Sequence, residues 1–447
     1  RDVLSQPALL IGIMSCIGLI ALKRPFHKVM TGTLKPILGY LMLAAGAGVI
    51  VNNLDPLGKM IEHGFHITGV VPNNEAIVAV AQKVLGVETM SILVVGLLMN
   101  LCIARFTKFK YVFLTGHHSL FMACLMSAVL GTAGLSGMEL ILVGGFLMGA
   151  WSAISPAIGQ SYTSKVTDGD EIAIGHFGSL GYYLSAWVAK YVGKADDSTE
   201  DIEIPEKWGF LRDSTLSTAL TMIVFYLIAA FAAGSEFVAT LSGDMSPYLY
   251  AVMSAMNFAV GVTIVYSGVR MILGDLIPAF QGIATKIIPN AIPAVDCAVF
   301  FTYAPTAVVL GFISSFIGGI IGMLILGAVG GVLIIPGLVP HFFCGATAGI
   351  YGNATGGRRG AAVGAFLNGL AITFLPAMAL PVLGQLGFQN TTFGDADFAV
   401  MGLVLGNAYE WVGMAGIYGI VAIAALVLII PNFIKTKGKV INYVEED

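Results

Sequence analysis

Long apolar runs, each closed by a short polar or charged loop, recur from one end of the 447-residue chain to the other. A bilayer core about 30 Å thick takes about 20 apolar residues as a helix. At that length the pattern predicts spans at 8–22, 36–51, 86–104, 111–131, 139–160, 217–238, 248–273, 307–327, 361–383 and 411–431. Shorter or broken apolar stretches lie at 171–192, 290–305 and 328–351. The runs are too long and continuous to be barrel strands, so only helices fit. The expectation is an all-α polytopic membrane protein with ten or eleven transmembrane helices, eleven favoured, plus re-entrant hairpins.

Composition narrows this further. Hydrophobic residues make up 57% of the chain and charged ones 11%, against about 25% charged in soluble domains. A soluble domain with one anchor is excluded, because the uncharged stretches span the whole length. The net charge of −4 excludes a nucleic-acid binder, which needs a basic face. Cys16, Cys102, Cys124, Cys297 and Cys344 all sit in or beside apolar runs and none makes a C-x-x-C pair. They read as buried reduced thiols, with no metal site, disulfide framework or cofactor expected. The chain opens on Arg1 without an initiator methionine, so preceding residues are expected.

Positive charge sets sidedness. Lys23, Arg24, Lys28 and Lys35 follow the first span, Arg105, Lys108 and Lys110 follow the third, and Lys435, Lys437 and Lys439 lie in the tail. Placing all three groups in the cytoplasm puts the N-terminus outside and the C-terminus inside, which demands an odd number of crossings. The loop at 384–397 has no Lys or Arg, and with Asp395 and Asp397 it suits the outside. The charged stretch 193–213 divides the chain into a first half, 1–192, and a second half, 214–447. It reads as a solvated cytoplasmic connector, or as a face that meets a partner protein. Lys35-Pro36-Ile37-Leu38-Gly39 and Arg270-Met271-Ile272-Leu273-Gly274 match in type 235 positions apart (270 minus 35). That is a faint signal of related halves, inverted or parallel.

Ionisable residues inside apolar segments need a reason. Thr115-Gly116-His117-His118 enters the fourth span; His118 is expected at headgroup level, while His117 is a candidate to line a cavity. Val166-Thr167-Asp168-Gly169 is a turn signal, and the Gly175-His176 pair beyond it lies in a glycine-broken segment. Irregular backbone at that depth lines cavities, which favours a functional His176. Prolines at 289, 293 and 305 break the region around Asp296, and a broken helix bearing a carboxylate is a form that transporter sites take. Asp296 is the strongest single candidate. The stretch from Ile335-Pro336-Gly337 to Gly357 is rich in glycine and small polar residues, Thr347 among them, and reads as a re-entrant hairpin. Glu88 and Glu410 are placed at helix ends, outside the site.

Taken together, Leu114-Thr115-Gly116-His117, Val166-Thr167-Asp168-Gly169 with Ile174-Gly175-His176, Val295-Asp296-Cys297 with Ala304-Pro305-Thr306-Ala307, and Ile335-Pro336-Gly337 with Phe342-Phe343 and Ala346-Thr347 resemble the ascorbate-type enzyme IIC permeases of the bacterial phosphotransferase system. The motifs fall in the same order and cover most of the chain. The resemblance implies a homodimeric inner-membrane permease, each protomer with a core domain and a dimerisation domain. It further implies a small sugar-like substrate, L-ascorbate or a related compound, phosphorylated by enzyme IIB as it emerges, with IIA supplying the phosphoryl group. Substrate positions carried over fall on Ala47, His117, His176 and Asp296, with Pro336, Gly337 and Thr347 as neighbours. The family pattern has a serine where Gly46-Ala47-Gly48 stands, and glutamines at Phe121 and Phe177. A more apolar pocket is therefore expected, with weaker hold on ascorbate. No phosphoryl-carrying residue is expected in this chain, since Cys344-Gly345-Ala346-Thr347 is only superficially like a phosphate loop and is flanked by membrane segments. An ion-coupled secondary transporter using Asp296 and the histidines as a proton relay is the alternative, and a channel the third reading.

Overall fold

A backbone shielded from water closes its hydrogen bonds most simply within one segment, and helices accordingly carry most of this chain. The computed structural model describes residues 7–66, 69–72, 74–169, 171–202, 214–286, 288–384 and 391–433. In chain order the elements are α1 (Pro7–Ala21), α2 (Phe26–Phe65), β1 (Val71–Pro72), α3 (Asn74–Phe106), β2 (Tyr111–Phe113), α4 (Gly116–Thr132), α5 (Gly137–Thr167), β3 (Ala173–Ile174) and α6 (Ser179–Val192). The second part holds α7 (Ser214–Ala233), α8 (Ser235–Ser242), α9 (Pro247–Lys286), β4 (Ile292–Val295), α10 (Pro305–Ala328), α11 (Leu338–Gly384), β5 (Thr391–Thr392), α12 (Ala396–Val412) and α13 (Met414–Ile429).

Seven helices among the described residues are long and apolar enough to cross a bilayer, or eight if α7 and α8, bent by 117° at Gly234, form one broken span. Length alone therefore does not reach eleven. The apolar run at 111–131 is not one helix, because β2 precedes α4, whereas the expected span at 411–431 is present as Met414–Phe433, opening after Gly413 at φ 64. The glycine-rich stretch read as a re-entrant hairpin is helical from Leu338, and α11 continues to Gly384 past a kink at Gly357, φ 60 and ψ −153. The Asp-Gly turn does end α5, with Asp168 in the left-handed region at φ 53.

Small residues let backbones approach closely in a membrane. A Cβ on Gly39 would stand 2.8 Å from the Gly268 carbonyl, and one on Gly46 2.7 Å from the Gly261 carbonyl. As numbers rise along α2 they fall along α9, so the two helices are antiparallel. The Lys35–Asp275 ion pair at 3.6 Å agrees with that direction. These glycines also relate the two helices, since Gly261 and Gly268 lie 222 positions beyond Gly39 and Gly46 (261 minus 39, 268 minus 46). At the same offset the start of α4, Gly116, falls on the start of α11, Leu338. The sequence match at 235 positions is thus out of register and coincidental. From α2 to α6, and again from α9 to α12, the chain repeats one order of helices and short strands, with corresponding helices inverted.

The strands join these two sets. β4 lies between β2 and β3 in a parallel sheet, Tyr111 opposite Ile292 and Ile174 opposite Val295. Conversely, β1 pairs in parallel with β5, while the neighbouring Val70 bridges to Ile334. Each half thus lends one strand to the other.

Residues 193–202, mostly exposed, are tied to the second half by hydrogen bonds. The Arg358 N–H donates to the Asp197 carbonyl at 2.7 Å, and the Asn353 side chain accepts from the Thr199 N–H at 2.8 Å. Glu200 accepts from the N–H groups of Thr306 and Ala307 at the start of α10, where a carboxylate suits the helix dipole. The rest of the expected connector, 203–213, lies outside the described residues. Of the cysteines, Cys124, Cys297 and Cys344 are buried, but Cys16 is half-buried and Cys102 exposed on an outward face of α3.

If the α2–α9 contact holds the halves together, Gly46→Leu should destabilise the protein by roughly 1–3 kcal/mol through overpacking. Gly274→Leu, with nothing within 4 Å of the added carbon, should leave the unfolding midpoint in detergent unchanged. Equal midpoints for the two variants would show that the contact is not limiting.

Candidate functional site

All three strands of the β2–β4–β3 sheet end at polar residues. β2 runs through Leu114 and Thr115 into α4, which opens with Gly116, His117 and His118; β3 runs into Gly175 and His176; β4 ends at Asp296. Because the strands are parallel and in register, these side chains emerge together at one edge. They wall a cavity of about 870 Å³ that also takes in Tyr40, Ala47, Phe121, Pro336, Gly337, Asn74 and Asp395.

His117 bridges two elements. Its Nε2 lies 3.3 Å from Asp296 Oδ2 and its Nδ1 3.2 Å from the Tyr40 hydroxyl. With the proton on Nε2, the ring donates to the carboxylate and accepts from the tyrosine. The other Asp296 oxygen accepts from the Ala298 N–H at 3.0 Å, capping the 3-10 turn Cys297–Thr302. Asp296 is thereby fixed by its own backbone, with one oxygen left for His117 and a ligand.

His118 is not at headgroup level. It is 3% exposed, and its ring centroid is 3.7 Å from that of His176. The chain turn after β3 fixes both rings: the Phe177 N–H donates to His118 Nδ1 and the Gly178 N–H to His176 Nδ1, each at 3.2 Å. The Tyr182 hydroxyl lies 2.8 Å from the same His176 nitrogen. A nitrogen that accepts from an amide carries no proton, so Nε2 of each neutral ring is an N–H donor.

That assignment bears on metal binding. His118, His176 and Asp395, and likewise His176, Asp296 and Cys297, each place donor atoms within 4.8 Å of one another. A metal needs an imidazole lone pair, and here the Nδ1 lone pairs already accept backbone N–H groups. The arrangement leaves the Nε2–H of each ring as a hydrogen-bond donor.

Of the residues the sequence singled out, His117, His176, Asp296, Ala47, Phe121, Pro336 and Gly337 line the cavity, and Phe177 and Thr347 do not. Phe177 is fully buried, its ring stacked on Phe113 at 4.6 Å. The Thr347 hydroxyl donates to the Phe343 carbonyl one turn back. Sequence reasoning missed Tyr40, Asn74 and Asp395, and it misplaced His118. It also took Asp395 and Asp397 for marks of an outer loop, yet both are buried. Asp397 accepts from the Ser179 hydroxyl at 2.8 Å and the Leu180 N–H at 2.9 Å, capping α6.

A multi-pass helical protein with inverted halves and a polar cavity where short strands interrupt the helices is a membrane transporter. Residues 2–397 match the family described as the PTS system sugar-specific permease component, and the chain belongs to it. It is also similar to a protein of Mycoplasma pneumoniae (strain ATCC 29342 / M129 / Subtype 1) named ascorbate-specific PTS system EIIC component, 27% identical over 469 residues that cover 91% of this chain and 70% of that protein. The chain is therefore a permease subunit of a phosphotransferase system, which works with IIB and IIA components on a sugar substrate.

Asp296→Ala should abolish uptake while leaving membrane insertion intact, because the His117 N–H then loses its acceptor and the 3-10 turn its cap. Asp296→Asn keeps the cap acceptor and should fold normally with uptake reduced at least about tenfold. Near-normal uptake by both variants would remove Asp296 from the site.

Proposed function

We propose that this permease carries L-ascorbate, or a closely related hydroxylated acid, and delivers it to IIB for phosphorylation. The observation that carries this reading is the pair of imidazole N–H groups on His118 and His176, held toward the cavity by backbone amides. Neutral donors suit an anionic, oxygen-rich ligand, and ascorbate is an anion at neutral pH. Asp296 and His117 complete the wall, with Ala47, Pro336 and Gly337 as apolar neighbours. Phe121, 8% exposed and edge-on to His117, removes a polar group from the cavity. Phe177 takes no part in contact on this reading, which withdraws it as a determinant of affinity.

Vesicles holding the purified chain, supplied with IIB, IIA and the general phosphotransferase enzymes, should accumulate ascorbate phosphate only when phosphoenolpyruvate is present. Uptake without phosphorylation that collapses on adding a protonophore would instead identify an ion-coupled transporter. In the same preparation Phe121→Gln should tighten ascorbate binding by calorimetry, and no gain would mean that Phe121 does not face the ligand. Light scattering of that preparation reads the homodimer that the resemblance implies.

The same proposal includes orientation. Lys23, Arg24 and Lys28 stand where α2 begins, and the Lys35–Asp275 pair brings the later turns of α9 to that end. The Lys108 N–H donates to Asn432 just beyond α13, which brings a second basic loop and the approach to the C-terminus together. By the positive-inside rule this end is cytoplasmic, with the N-terminus outside and the C-terminus inside. Eleven crossings follow when, beside the long helices, α1 counts as one, β2 with α4 as one, each arm of α11 as one, and α7 with α8 as one. The cavity extends along α2 to Asp55, Lys59 and Glu62 at the opposite end, so its mouth faces outward. In a variant with Cys16 and Cys102 replaced by serine, Glu62→Cys should react with a membrane-impermeant maleimide added outside intact cells. Reaction only after the cells are opened would invert the assignment.

A further inference from the structure

Asp296 has a counterpart in the other half. At the offset that relates the α2 and α9 glycines, Asp296 corresponds to Asn74 (296 minus 74 is 222). Asn74 opens α3 two residues past β1, which pairs with β5 next to the Val70–Ile334 bridge, much as Asp296 stands directly past β4, the strand between β2 and β3. Asp395 lies shortly past β5, and His176 shortly past β3. Asp296 and His176 both line the cavity, and so do Asn74 and Asp395.

The second pair is as firmly held as the first. The Asn74 Oδ1 accepts from the Gly394 N–H at 2.9 Å, which fixes the amide's orientation, and its Nδ2 donates to Asp395 Oδ2 at 2.5 Å. Asp395 Oδ1 accepts from the Cys344 thiol at 2.7 Å and lies 4.0 Å from His176 Nδ1. Asp395 is 4% exposed. A carboxylate has about four lone-pair sites and an amide nitrogen two protons, so after these bonds Asp395 can still accept and Asn74 can still donate.

We propose that Asn74 and Asp395 form a second polar subsite, which binds a neutral hydroxyl group of the substrate. A hydroxyl both donates and accepts, and the carboxylate and amide side by side supply its two partners. The carboxylate repels an anion, which leaves the charged part of the ligand to the ring N–H groups of His118 and His176. Asp395 lies 4.0 Å from the amide-bound Nδ1 side of the His176 ring, and both residues line the one cavity, so one small molecule can engage both subsites. This rests on the ascorbate reading, in which the enediolate ring meets the histidines and the side-chain hydroxyls meet Asn74 and Asp395.

The test is calorimetry on the full purified chain with L-ascorbate and 6-deoxy-L-ascorbate, which lacks one side-chain hydroxyl. The unmodified chain should bind the deoxy compound about tenfold more weakly. Asn74→Ala should weaken L-ascorbate by about tenfold and bring the two ligands within twofold of each other, and Asn74→Ser, which keeps a donor, should fall between. A purely structural role would weaken both ligands alike, and that result overturns the subsite. Equal binding of the two ligands by the unmodified chain overturns it too, without need of any variant. No binding of ascorbate by the unmodified chain brings down the substrate reading and the subsite together. Ascorbate binding that Asn74→Ala leaves unchanged brings down the subsite alone.

Discussion

The parallel pairing of β4 between β2 and β3 is the interaction on which the site depends. At membrane depth there is no water to satisfy a carbonyl or an amide, so extended backbone survives only where another segment pairs with it. β2 and β3 belong to the first half and β4 to the second, so neither half satisfies these groups alone. The Leu114 N–H, for example, finds its acceptor in the Ala294 carbonyl at 2.9 Å, and the Gly175 N–H in the Val295 carbonyl at 2.7 Å. Gly175 tolerates no side chain there, since a Cβ would lie 2.4 Å from the Ala294 carbonyl. Pairing the strands brings two histidines, a third at the turn, and an aspartate to one edge, so the same bonds that make the fold permissible also assemble the chemistry.

The polar side chains are then set by local backbone geometry. The amides of Phe177 and Gly178 choose the tautomers of His118 and His176, and the amide of Ala298 orients Asp296. Such fixing holds these polar groups in one orientation, with little freedom to reorganise. It also explains why side chains usually read as metal ligands form, here, a hydrogen-bonding wall. Asp397 works one layer back, where it caps α6 and receives the Trp151 indole N–H at 3.3 Å, steadying the turn that carries the two amides.

The inverted relation between the halves places this wall at their junction. Antiparallel α2 and α9 pack through glycines at matching positions, and the exchanged strands form two related groups, one ending in Asp296 and His176, the other in Asn74 and Asp395. A transporter must present one site to two sides in turn, and a two-fold relation in the membrane plane supplies equivalent routes from each. Tyr40 joins α2 to His117 across the cavity, so movement of that helix is felt at the imidazole.

Sequence alone determined the environment and the chemistry-bearing residues. Apolar run length compelled a helical membrane protein, and the expense of ionisable groups in lipid drew out His117, His176 and Asp296. The proline and glycine breaks marked where helix gives way, because those residues leave a signature in any context. What depends on partners distant in the chain was not legible. His118 and Glu88 look alike as polar residues near apolar runs, and only the β2–β3–β4 pairing puts one of them against His176. Phe177 sits beside His176 in sequence, yet the turn after β3 sends its ring into the core against Phe113. Asn74 and Asp395, 321 positions apart, carry no local pattern at all. Two- to four-residue strands are too short to show a period, and their register is set by the opposing half. Tertiary structure decided those placements because the hydrogen bonds that fix them close between halves.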